Sequence, residues 1–150
     1  EVVALLCQLG ITAAISGRGI GIEGFRLCRV QARDAEQIRR AWTAEEAPIA
    51  IRYDDVDLEV LLLQNTALAR TFVETELGAL AEEGVEAARL RATLEASFHL
   101  GSHVAAAKQL ELHEHTVRNR LAKAERLLGH SLQERRTELQ VALRLLRLLD

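Results

Sequence analysis

From Asp57 onward the apolar residues recur only three and four positions apart, and nothing in that stretch alternates as a half-buried strand would. This commits the greater part of the chain to helices. Strands must therefore lie upstream, and two short segments qualify: Ile11–Ser16 (I-T-A-A-I-S), bounded by Gly10 and Gly17, and Ile49–Tyr53 (I-A-I-R-Y), closed by Asp54-Asp55. Between them Phe25, Cys28, Ala32, Ala35, Ile38 and Trp42 fall at helical spacing, and the pattern stops near Pro48. The expected fold is mainly α: a partial β-α-β unit followed by an all-helical domain.

Within the helical part, Asp57 is placed to cap a helix, and Leu58–Leu80 reads as one long helix or a broken pair. Glu82-Glu83-Gly84 is the expected hinge. Val85–Leu100 follows with Leu90, Leu94 and Phe98 on one face, and Gly101 and Ser102 supply a stop and a new N-cap. The chain accordingly reads as a partial α/β segment over 1–57, connecting helices over 58–84 and a helical domain over 85–150. Charge divides along similar lines. Residues 1–87 carry 15 Asp/Glu against 8 Lys/Arg, a net of -7, whereas residues 88–150 carry 7 against 11, a net of +4. A cationic half attracts polyanions and an acidic half repels them, so two units with different partners are expected.

Several classes are disfavoured. With 49% apolar residues the chain can build a core, but runs such as Val60–Leu63 are far shorter than the ~18 residues of a membrane span. Cys7 and Cys28 form neither a disulfide framework nor a metal-ligand spacing, and no leader precedes them, so a reducing cytoplasm is expected. The chain opens on Glu and contains no Met, which reads as a piece of a longer protein.

The most specific signal spans Ser102 to Gly129. Ala107 precedes Leu110 by three residues and is small enough to let a second helix cross closely. After a short turn, the segment from Glu114 to Leu128 sets Val117, Leu121, Ala124 and Leu128 on one stripe and leaves a polar, basic face opposite, with Gly129 as its stop. Two helices joined by a three-to-four-residue turn, the second cationic on its free face, form a helix-turn-helix that docks in a major groove. In that docking His115, Arg118 and Asn119 point at base edges, because Arg can fork to guanine and Asn to adenine. Thr116, Arg120 and Lys123, with Lys108 from the first helix, are placed for phosphates. An ordinary αα-hairpin with a solvated basic face is the competing explanation.

The same stretch resembles the C-terminal helix-turn-helix of the PucR/CdaR family of purine-catabolism and sugar-diacid regulators, with its approximate motif A-A-x-x-L-x-x-H-x-N-T-x-x-Y-R-L. Ala106-Ala107, Leu110, His113, Thr116, Arg118, Arg120-Leu121 and Gly129 match, while His115 stands in place of Asn and Asn119 in place of Tyr. The likeness continues through Leu139, Ala142-Leu143 and Leu146. It implies a bacterial, cytoplasmic transcription regulator that binds double-stranded DNA, with a small-molecule effector bound by upstream regions. Because a single module of this size covers too little surface for tight specific binding, a homodimer is expected. More loosely, the order of strand, glycine loop, Glu23-Gly24-Phe25, helix and Ile51-Arg52-Tyr53-Asp54-Asp55 resembles the end of the divergent GGDEF-like domain of those regulators. No G-G-D/E-E-F string occurs, so the resemblance implies a scaffold without cyclase activity.

Other features carry less. Gly19-Ile20-Gly21-Ile22-Glu23-Gly24 fits G-x-G-x-x-G, but the strand ends too early and Asp54 lies about thirty residues on, where about twenty is usual for a dinucleotide site. We read it as a flexible loop using glycine for sharp turns, with no cofactor. His99 and His103, or His113 and His115, suggest a metal pair, but Gly101-Ser102 interrupts the first helix and no cysteine is near, so no metal is expected. No nucleophile motif accompanies either cysteine, and no enzyme activity is expected. Leu139–Leu149, interrupted by Arg144 and Arg147 and opened by a capping box at Ser131-Leu132-Gln133-Glu134, reads as a core helix. The alternative to a DNA-binding regulator is a sensor or dimerisation module without DNA contact.

Overall fold

The computed structural model describes residues 2–42 and 47–149. It is mainly helical with one two-stranded parallel sheet. The chain divides into two compact units, residues 1–66 with 147–150, and residues 67–146.

The first unit opens with α1 (Val2–Gln8), followed by β1 (Ala13–Ile15), α2 (Gly21–Ala41) and β2 (Ala50–Arg52). The strands pair in parallel with Ala13 opposite Ala50, Ala14 opposite Ile51 and Ile15 opposite Arg52, so the expected β-α-β order is present. The helix ends at Ala41, and residues 43–46, just ahead of the Pro48 near which it was expected to stop, lie outside the described residues. A short helix α3 (Asp57–Leu62) completes the unit. Its core is small: Ala35, Ile38, Ile51, Val56 and, from the end of the chain, Leu148.

Three expectations are corrected here. First, α2 begins at Gly21, four residues before Phe25, so four of the six residues of the glycine string are helix rather than loop. Nor is the remainder free. The Gly17 N–H donates to Gln31 Oε1 at 3.1 Å, and the Cys28 thiol donates to the Gly17 carbonyl at 3.2 Å. The glycines serve close approach: a Cβ on Gly19 would stand 2.4 Å from the Gly24 carbonyl oxygen, and one on Gly24 only 2.7 Å from the Gly19 carbonyl carbon. Second, Asp57 is the first helical residue rather than the cap, and its Oδ1 accepts from the Leu58 N–H at 2.7 Å. Third, the Ser131 hydroxyl accepts from the Gln133 N–H at 3.2 Å and closes a turn, and the last helix starts only at Arg136.

The second unit is built from α4 (Thr66–Leu77), a 3-10 turn at Gly78–Leu80, α5 (Val85–Leu100), α6 (His103–Gln109), α7 (Glu114–Leu128) and α8 (Arg136–Leu149), whose last turn belongs to the first unit. Leu58–Leu80 is thus a broken pair, interrupted by a 3-10 turn at Leu63–Asn65. Leu77, Leu80, Leu90, Leu94, Val117, Leu139 and Leu145 are each 1% exposed or less and form the interior. Burying one such side chain contributes about 1.5–3 kcal/mol. The carboxylate of Glu76 is also buried and is held by two guanidinium nitrogens of Arg135. Among the described residues no helix is long and apolar enough to cross a membrane.

Candidate nucleic-acid interface

Local chemistry sets the helices of the second unit in register. Gly101 takes φ +63° and ends α5, and its N–H donates to the Ser97 carbonyl at 3.0 Å. The Ser102 hydroxyl then caps α6 by accepting from the Ala105 N–H at 3.5 Å. Ala106 and Ala107 are buried, so α6 packs through methyl groups that let its neighbours approach closely. The turn that follows is a Schellman closure, with the Leu112 N–H on the Ala107 carbonyl (2.8 Å) and the Glu111 N–H on the Lys108 carbonyl (3.3 Å). Its left-handed position, φ +53°, is occupied by Glu111. The His113 Nδ1 accepts from the His115 N–H at 3.2 Å and so caps α7, one of the non-metal roles open to these histidines. Gly129, at φ +75°, ends it.

Burial fixes the orientation of α7. Val117 and Ala124 are fully buried and Leu121 is nearly so. On the opposite side His115, Asn119, Ala122 and Arg126, spaced by four, three and four residues, form one exposed stripe along the helix. His115 and Asn119 were expected on this face. Arg126 was not, although its position eleven residues after His115 gives it away. It also stands in the last turn, where a cation complements the helix dipole, and that structural role competes with any contact to a partner.

The remaining candidates lie on the flanks. Arg118 is exposed and paired with Glu114 one turn earlier. Thr116, Arg120 and Lys123 share the other flank, and two of them are engaged by α5: Lys123 Nζ lies 2.7 Å from Glu86 Oε1, and the Arg120 guanidinium donates to Thr93 Oγ1 at 3.4 Å. The hydrogen bond and charge of Lys123 hold the Glu86 carboxyl below its ordinary range. This pair is exposed, so it adds little stability and yields to salt. Lys108 is exposed on α6, apart from the α7 stripes.

A cleft of about 340 Å³ opens along the Arg118 side of α7, where α5, α6 and the approach to α8 meet. The described residues contain no group of three or more His, Cys, Asp or Glu arranged to hold a metal.

Residues 90–145, under half of the chain, match the family model of the PucR C-terminal helix-turn-helix domain. No curated protein and no solved structure matches the chain.

Proposed function

We propose that the chain is a sequence-specific DNA-binding transcription regulator of the PucR type, which lays α7 in the major groove of duplex DNA. The observation that carries this reading is the stripe His115, Asn119, Ala122 and Arg126, fully presented on a helix whose opposite side is locked into the core. The match of residues 90–145 to a helix-turn-helix family supports it. His115, Arg118 and Asn119 read bases, and Lys108, Thr116, Arg120 and Lys123 meet phosphates, the last two by exchanging their present partners for DNA oxygens.

Because one module of this size covers little surface, the working form is a homodimer on half-sites about one helical turn apart. For residues 1–57, the β1-α2-β2 order supports reading a partial GGDEF-like scaffold. Selection of bound sites from a random duplex library tests the whole reading. An enriched motif is expected, and Asn119→Ala should then lower affinity for it by about 1–3 kcal/mol while relaxing the base preference at one position. Recovery of no motif, with no salt-sensitive duplex binding between about 50 and 200 mM, would leave a sensor or dimerisation module instead.

A further inference from the structure

The major groove is about 12 Å wide, and a helix with its side chains is about 10–12 Å across, so both phosphate strands run against the flanks of a docked helix. The two flanks of α7 are unequal. On one, Lys123 and Arg120 are held by Glu86 and Thr93 of α5. The other carries the 340 Å³ cleft, whose walls include His103, Arg118, Gln133 and Arg136. Its one carboxylate, Glu125, already accepts the Leu132 N–H at 3.1 Å. Arg136 is fixed in place, donating to the Phe98 carbonyl at 2.7 Å with its guanidinium 5.4 Å from the centre of the Phe98 ring. A guanidinium has five N–H donors, so the bond to Phe98 leaves others for an anion.

We infer that this cleft is the chain's second phosphate grip: it receives a backbone phosphate of the strand on the Arg118 side, held by Arg136 and by a His103 N–H. Arg118 forms the wall shared with the base-reading stripe, which places the grip against the edge of the groove. The inference rests on the reading of α7 as the groove helix. It assigns to DNA His103, at the start of α6, and Arg136, beyond the end of the helix-turn-helix, with Gln133 on the same wall.

The test is fluorescence anisotropy of the full chain on a mixed-sequence duplex over a salt series. Each phosphate neutralised contributes about 0.9 to the slope of log K against log salt. Arg136→Gln should flatten the slope by about that amount, so that a fourfold rise in salt costs the variant about 3.5-fold less affinity than it costs the parent chain. Gln133→Lys should steepen it and Gln133→Glu flatten it, while Gln8→Lys, an exposed control in the first unit, leaves it unchanged. Should Arg136→Gln fail to fold, the two Gln133 variants decide. Unchanged slopes in folded Gln133 variants of a chain that does bind duplex would overturn the phosphate grip alone. Absence of duplex binding by the parent chain would overturn the groove reading, and the grip with it.

Discussion

The two units hold themselves together by different means. In the first, the charged pairs Glu23 with Arg26, Arg33 with Asp34, Glu36 with Arg39 and Arg40, and Arg52 with Asp54 join residues within four positions of one another. In the second, polar contacts span the fold: Lys123 to Glu86, Arg135 to Glu76, Arg136 to the Phe98 carbonyl. Apolar side chains tell the same story. Val2, Leu5, Ile20, Ile22, Phe25 and Leu27 of the first unit are more than half exposed, whereas the second buries Leu77, Leu80, Leu90, Leu94, Leu139 and Leu145 almost completely. A unit whose contacts cross between elements holds a recognition surface rigid, and rigid presentation is what base reading demands.

The sharpest way to break this contrast is to delete equal side chains in both units. Leu94→Ala removes a side chain with no exposed surface and should cost about 2–5 kcal/mol, through lost burial and the cavity left behind. Leu27→Ala, at 56% exposed, should stay within about 0.5 kcal/mol. Urea unfolding followed by far-ultraviolet circular dichroism measures both, and equal losses would dissolve the distinction.

Next in size is the long-range ion pair. Arg135→Met leaves the Glu76 carboxylate, 6% exposed, without its cation, whereas Arg26→Met removes half of an exposed pair. The first should destabilise clearly and the second hardly at all, because an uncompensated buried charge is far more costly than a lost surface pair. A chain carrying both Glu76→Met and Arg135→Met should recover much of the loss. If it melts as low as Arg135→Met alone, packing around Arg135 rather than charge is responsible.

Local pairing has its own signature in pH. Hydrogen bonding to Arg39, opposed by partial burial and reinforced by Arg40, lowers the Glu36 carboxyl to a pKa of about 2. A folded value below the unfolded one means that the stabilisation is fully present above about pH 4.5 and is lost as pH falls toward 2. After allowance for solvent screening the loss is about 1 kcal/mol. Glu36→Gln should lack this acid-dependent step, and an unaltered stability profile between pH 4.5 and 2 would show that the pair contributes nothing.

How far each unit was legible in sequence follows from the same contrast. The second unit announces itself because its elements are amphipathic and end on explicit stops: Gly101 and Gly129 adopt the left-handed conformations expected, Ser102 caps α6, and Val117, Leu121 and Ala124 form the buried stripe of α7. In the first unit helical periodicity begins at Phe25, yet α2 starts at Gly21, because a backbone crossing between Gly19 and Gly24 leaves no apolar repeat to detect. Helix α1 was not anticipated either, since none of its residues is buried and no apolar pattern betrays it. On α7, spacing put His115 and Asn119 on the exposed face but did not reveal the partners that occupy one flank. That Glu86 and Thr93 meet Lys123 and Arg120 depends on how α5 packs, 37 and 27 residues away.

The smallest expected effect concerns a place where the second unit departs from its own rule. Its other left-handed helix ends fall on glycine, but the turn between α6 and α7 puts Glu111 at φ +53°. A side chain there costs roughly 1 kcal/mol in the folded state, and glycine would relieve it while giving back part of the gain as unfolded-chain entropy. Glu111→Gly should therefore raise stability by only a few tenths of a kcal/mol, with Glu111→Ala neutral or worse because it keeps the Cβ. Urea midpoints for the pair decide the point. Since the Schellman bonds of Leu112 and Glu111 come from the backbone, the glycine variant should also leave α7 where it is and DNA affinity unchanged. A marked drop in affinity would mean that the Glu111 side chain, not the turn's conformation, is what the position is built around.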